Sequence, residues 1–110
     1  MKIHLIKKQT IEDYIKENAQ ARVAFEIWYS IIKGAEWSEP SDIITTYGSA
    51  DILGSGSKRA VFNIGGNKYR MICTYNFGQS QVHLFIKWIG THAEYTKLCN
   101  ERKQYDVNAY

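Results

Sequence analysis

Lys58-Arg-Ala-Val-Phe-Asn-Ile-Gly-Gly-Asn-Lys-Tyr-Arg-Met-Ile-Cys73, taken on to Lys87-Trp-Ile-Gly-Thr-His-Ala-Glu-Tyr95, is the stretch that decides the fold. Residues 60 to 64 and 69 to 75 are rich in β-branched and aromatic side chains, and Gly65-Gly66-Asn67 between them tolerates the positive φ of a tight hairpin turn. Phe77 to Ser80 makes a second break before a third strand over 82 to 89. Three strands in succession, joined by short turns, predict an antiparallel meander.

Alternation sorts these strands into two faces. Ala60, Phe62, Ile64, Tyr69, Met71, Cys73, Tyr75, Leu84, Ile86 and Trp88 fall on an apolar face that predicts the core side. The other face is mixed: Arg59, Val61, Asn63, Arg70, Ile72, Thr74, His83, Phe85, Lys87 and Ile89. Arg59, Arg70 and Lys87 put one cation per strand on this face, which is either a solvated sheet surface or a site for an anionic ligand. After Gly90, Thr91 and Glu94 have the spacing of a capping box, so a helix should begin with His92 in its first turn. Free N–H groups and the macrodipole at such a terminus favour a nearby anion.

Working outward, Met1 to Ile6 alternates and predicts a short strand that joins the sheet. Thr10 with Asp13 is a serviceable cap. Ile11, Ile15, Ala19, Val23, Ile27 and Ile31 recur every fourth position, beside Ala24, Trp28 and Ile32. They predict either one amphipathic helix over 11 to 33, closed by Gly34, or two helices broken near Asn18, with this stripe on the apolar sheet face. Pro40 suits the start of a short helix over 41 to 47. Residues 48 to 57 read as a connecting loop that leads into Lys58-Arg59. The last helix is expected to run from His92 to about Lys103, and residues 104 to 110 show no period and are expected to fray.

A chain of 110 residues with 45% hydrophobic residues and a single Pro has the size and composition of one folded domain. We take 1 to 103 as that domain and 104 to 110 as a tail. The formal charge is only +3, from 14 Lys and Arg against 11 Asp and Glu, so the total neither requires nor excludes a nucleic acid. Its distribution says more. No Asp or Glu occurs between Lys58 and Lys87, which makes the sheet the electropositive region. Cys73 and Cys99 lack metal-ligand spacing and suit reduced thiols in the cytoplasm. His4, His83 and His92 are too scattered for a metal site, and neither an export signal nor a membrane span is apparent, so no metal, cofactor or membrane partner is expected.

The run Val61-Phe-Asn-Ile-Gly-Gly-Asn-Lys-Tyr-Arg70, with Gly90-Thr-His-Ala-Glu-Tyr95 after it, resembles the HigB toxins of bacterial toxin-antitoxin pairs, within the RelE-like group of ribosome-dependent mRNA interferases. The likeness extends from the opening strand to about residue 100. It implies an α+β, RelE-like fold: a small, mostly antiparallel four-stranded sheet, N-terminal helices on one face and a short C-terminal helix. It also implies an endoribonuclease toxin, with mRNA, the ribosome and a cognate HigA-like helix-turn-helix antitoxin as partners.

Metal-free RNA cleavage needs the 2′-OH deprotonated, the phosphorane charge stabilised and the leaving 5′-oxygen protonated. Arg70 suits the charge, since its fixed fork of donors fits phosphate oxygens; Tyr69-Arg70 sits where RelE-like proteins carry a catalytic arginine. His92 is the leading proton-transfer residue, because histidine is the side-chain type that exchanges protons near neutrality. Relatives place a basic residue or His, together with a Tyr, in this corner. Tyr95 is expected to stack on a base or donate to phosphate, and Lys87 with Lys58 or Arg59 to hold flanking phosphates. Asn63 and Asn67 either orient a base edge or complete the hairpin. No carboxylate is expected on the mixed sheet face, which disfavours paired-carboxylate and two-metal hydrolysis. Arg70 and His92 should both be replaceable without opening a cavity. A non-catalytic RNA-binding or repressor-complex module using the same face is the alternative, and a purely structural domain is a third.

Overall fold

The computed structural model describes residues 1–54 and 56–110. In chain order the elements are β1 (Lys2–Ile6), α1 (Gln9–Glu17), a 3-10 turn (Ala19–Ala21), α2 (Arg22–Gly34), α3 (Ser41–Thr46), β2 (Asp51–Leu53), β3 (Arg59–Ile64), β4 (Tyr69–Phe77), β5 (Gln81–Thr91) and α4 (His92–Asn100). They form an α+β domain around one mixed sheet of order β1-β5-β4-β3-β2. The expected meander is β3-β4-β5, antiparallel throughout, and β1 lies parallel beside β5.

The sheet has five strands where four were expected. Asp51–Leu53 pairs antiparallel with Arg59 to Val61 and extends the sheet beyond β3. Three residues are too few to display alternation, and flanking Gly48 and Gly54 disguise the pairing as a loop. Ser55, in the same expected loop, lies outside the described residues. The hairpin after β3 takes the conformation that its glycines permit, with φ of 63° at Gly65 and 67° at Gly66. Gly65 also lets the hairpin approach α2 closely, since a Cβ there would lie 3.2 Å from the Ala24 Cβ.

Phe62, Met71, Cys73, Leu84 and Ile86 do face the main core, packed against Phe25, Trp28 and Ile32 of α2 and Ile11 and Ile15 of α1. Each large side chain so buried contributes about 1.5–3 kcal/mol. The helical stripe is corrected. Val23, Ile27 and Ile31 are 66%, 57% and 42% exposed, and the buried residues of α2 are Phe25, Trp28 and Ile32. The break at Asn18 and the 3-10 turn after it interrupt the α-helical phase, so the four-residue repeat that is buried in α1 points outward in α2.

A second correction concerns β5. Ile72 pairs with Trp88, whereas the next residue of β4, Cys73, pairs with Ile86. Lys87 is the extra residue of a β-bulge, and the bulge inverts the alternation that follows it. Ile89 is consequently in the main core, and Trp88 joins Val61, Ile72, Leu53 and Leu98 in a separate apolar cluster on the opposite face.

Candidate active site

The two hairpin strands and the start of α4 converge on Arg70. In the ladder Arg70 lies opposite Asn63 on β3 and Gly90 on β5, and Tyr69 lies opposite Thr91. Thr91 and Glu94 make the full capping box: the Thr91 hydroxyl accepts from the Glu94 N–H at 3.2 Å, and the Thr91 N–H donates to the Glu94 carboxylate at 2.7 Å. The His92 N–H donates to Lys68 O at 3.0 Å, which ties the first residue of the helix to the end of the hairpin. His92 itself is solvent-exposed at this corner.

Arg70 is only 8% exposed, so the expectation that it can be replaced without opening space is corrected. Its Nη1 donates to Tyr69 O at 3.3 Å and its Nη2 to Asn67 Oδ1 at 3.1 Å, while the guanidinium carbon stands 5.9 Å from the centre of the Tyr95 ring. Asn67 thus aims the fork from the hairpin turn. Tyr95 in turn packs at 6.0 Å from Trp88. Burial, and then a hydrogen bond with Cys99, raise the Tyr95 phenol above its ordinary value of 10.0, so it is a protonated donor throughout the neutral range.

Sequence alternation missed three members of this corner. Trp88, assigned to the core, is delivered to it by the bulge. Gly90 lies beneath Trp88: a Cβ at that position would meet the far edge of the indole at 2.5 and 2.6 Å and Glu94 Oε1 at 3.0 Å. Asp51 pairs with Val61 and therefore shares the mixed face, and its charge reaches Tyr95. The expectation of a sheet face free of carboxylates fails because the strand that carries Asp51 was read as a loop.

The remaining cations separate. Lys58, at φ 55°, is exposed and lines a hollow of about 400 Å³ with Ser38, Glu39, Pro40, Tyr75, Asn76 and Phe77. Its neighbour Arg59 pairs with Thr74, four residues and roughly 13 Å along β4 from Arg70. Lys58 is not part of the corner. Asn63 is half-buried directly across from Arg70. Cys73 is fully buried in the core, where burial pushes its thiol up and keeps it protonated.

Arg59 and Lys87 meet residues that were expected to fray. Arg59 is 7% exposed, and its Nη1 donates to Val107 O at 2.8 Å and Gln104 O at 3.3 Å. Lys87 Nζ donates to Asn108 Oδ1 at 3.3 Å, and the Ala109 N–H donates to Lys87 O at 2.8 Å. The tail is held because the bulge leaves the backbone of Lys87 available and because Val107 packs on the cluster of Val61 and Ile72. α4 ends at Asn100 rather than near 103, as Arg102 turns into the left-handed region at φ 58° and sends the chain back across the sheet.

A buried, aimed guanidinium, a protonated phenol, an exposed imidazole and a capped helix terminus form a corner suited to a phosphodiester. The domain is a small α+β fold with this corner on the side of the sheet away from the main core. The chain belongs to the HigB toxin family: the family described as HigB_toxin, RelE-like toxic component of a toxin-antitoxin system, matches residues 21–98. It is similar to the mRNA interferase HigB of Escherichia coli O6:H1, with 31% identity over 96 residues that cover 87% of this chain and 91% of that protein.

Proposed function

We propose that this chain is an endoribonuclease toxin that cleaves mRNA on the ribosome by metal-independent attack of a ribose 2′-OH on the adjacent phosphorus. The observation that carries the reading is the Arg70 guanidinium, held between Asn67 and Tyr95 on the side of the sheet away from the core, in a chain of the HigB family. As the 2′-oxygen bonds to phosphorus, charge grows on the non-bridging oxygens and Arg70 neutralises it. His92 exchanges a proton with the reacting oxygens. The Tyr95 phenol donates to phosphate or stacks on a flanking base, and Lys87 holds a neighbouring phosphate. The P–O5′ bond then breaks, leaving a 2′,3′-cyclic phosphate on one fragment and a 5′-hydroxyl on the other.

The toxin acts in the cytoplasm and is neutralised by a HigA-like helix-turn-helix antitoxin. No helix among the described residues is long and apolar enough to cross a membrane. The test is induced expression without antitoxin, followed by mapping of mRNA ends. Growth arrest with 2′,3′-cyclic phosphate termini is expected, and His92→Ala should lower cleavage roughly 10²- to 10⁴-fold while the protein remains soluble. A protein that binds RNA and represses without cutting it would replace this reading with that of a passive binding module.

A further inference from the structure

Residues 104 to 110 occupy the donors that a second phosphate would use. Arg59 commits its Nη1 to two main-chain carbonyls, Lys87 donates to Asn108, and the charge of Asp106 acts on Arg59. The segment then reaches β5, where the Ala109 N–H donates to Lys87 O at 2.8 Å. It therefore spans the sheet from β3 to β5, the strand that leads into the helix bearing His92 and Tyr95. Its hold is light: Val107 is its one member in the apolar cluster, and it is only half-buried. The family match ends at residue 98, ahead of the whole segment.

We propose that residues 104–110 form an autoinhibitory strap, closed over the Arg59 and Lys87 side of the site and displaced by single-stranded RNA. The proposal rests on the reading that this face receives RNA phosphates. The strap meets the cations with two neutral carbonyls and an amide oxygen, and with one carboxylate acting from further away, which together imitate a phosphate incompletely. Charge-assisted bonds from guanidinium to phosphate are roughly twice as strong as bonds to neutral acceptors, so a polyanion that presents two phosphates has the advantage once it reaches them. With the strap closed, the Arg59 side chain is buried with its Nη1 occupied, and Lys87 is tied to Asn108. The exchange gives the free protein a low affinity for short or weakly charged RNA, and a higher one for a strand long enough to engage both cations.

Val107→Asp in the full chain is the first test, because it expels the apolar anchor and keeps every other residue; a chain ended after Lys103 is the second. The probe is a fluorescent single-stranded RNA with a 2′-O-methyl group on every sugar, which binds but cannot be cut through the 2′-oxygen. If the strap is closed in nine molecules of ten, opening it raises apparent affinity about tenfold. Two liberated cations should also steepen the dependence of log affinity on log salt by about 1.4, at roughly 0.7 per phosphate for a single strand. Saturating RNA should expose residues 104–110 of the parent protein to carboxypeptidase. A folded Val107→Asp protein with unchanged or weaker affinity and an unchanged salt slope overturns the strap, as does a tail that stays protected under bound RNA. Cleavage of unmodified RNA separates the two ideas. A parent protein that cuts RNA, with no gain in either variant, removes the strap alone; one that binds with the predicted differences and never cuts removes the nuclease reading alone.

Discussion

Arg70→Ala is expected to lose both stability and rate, and the two losses can be worked separately. The substitution removes hydrogen bonds of 3.1 and 3.3 Å to Asn67 and Tyr69, each worth about 0.5–1.5 kcal/mol net, at the lower end for such long contacts. The alkyl stem of a side chain that is 8% exposed adds packing of about 1 kcal/mol. The sum is roughly 2–3 kcal/mol, or about 8–24 °C in melting temperature for a domain of this size. Cleavage measured well below the lowered transition should still fall about 10²- to 10³-fold, the usual loss for one electrostatic donor, while RNA affinity falls much less. Arg70→Lys separates charge from geometry: it keeps the charge and loses the fork that reaches both acceptors, so its rate should remain far below that of the parent. A folded Arg70→Ala protein that cleaves at the parent rate would falsify the site. Parent-like melting would refute the structural half of the reasoning, in which Asn67 and Tyr69 depend on this guanidinium.

Gly90→Ala should push the Trp88 indole outward, since the added Cβ would come within 2.6 Å of it. Because the half-exposed ring can move, a cost near the low end of about 1–3 kcal/mol is expected in urea unfolding, together with altered Trp fluorescence and reduced cleavage; an unmoved emission spectrum would count against the close contact. Met71→Ala, at a position with no exposed surface, should cost about 2–5 kcal/mol in the same assay, and parent-like stability would contradict the packing of β4 on α2. Asp42 accepts N–H bonds from Ser38 and Glu39, which lower its carboxyl below the ordinary 3.8. A depressed folded-state value means that its stabilisation is present above the unfolded value and is lost as pH falls through the folded one. The stability difference between the parent and Asp42→Asn should therefore be constant at neutral pH and vanish only below pH 3.8; a difference that persists unchanged into stronger acid would reject a role for these two bonds.

What the chain displays in advance is what short-range chemistry controls. The hairpin was legible because Gly65 and Gly66 supply positive φ, and the corner because Thr91 and Glu94 carry a capping box that the structure reproduces at both bonds. Three features were illegible, for reasons that alternation cannot contain. A one-residue bulge at Lys87 leaves no local mark, yet it exchanges the sides of Trp88 and Ile89. A three-residue strand is defined only by its partner, so Asp51 could not be assigned to a face. The resting place of residues 104 to 110 depends on Arg59 and Lys87, which lie far back along the chain.

The parallel pairing of β1 with β5 governs when the molecule can exist at all. Lys2 aligns with Gln81, so 79 residues must be added after Lys2 to reach its partner. At about 5–20 residues per second, synthesis leaves β1 without that neighbour for roughly 4 to 16 s. Contacts this distant close late, after local helices and the β3-β4 hairpin have had time to form. His92 and Tyr95 are made later still, beyond the end of the pairing segment. A nascent chain therefore carries Arg70 on a hairpin with no corner around it until His92 and Tyr95 have been added. Order of manufacture thus sets the earliest moment at which the corner can close.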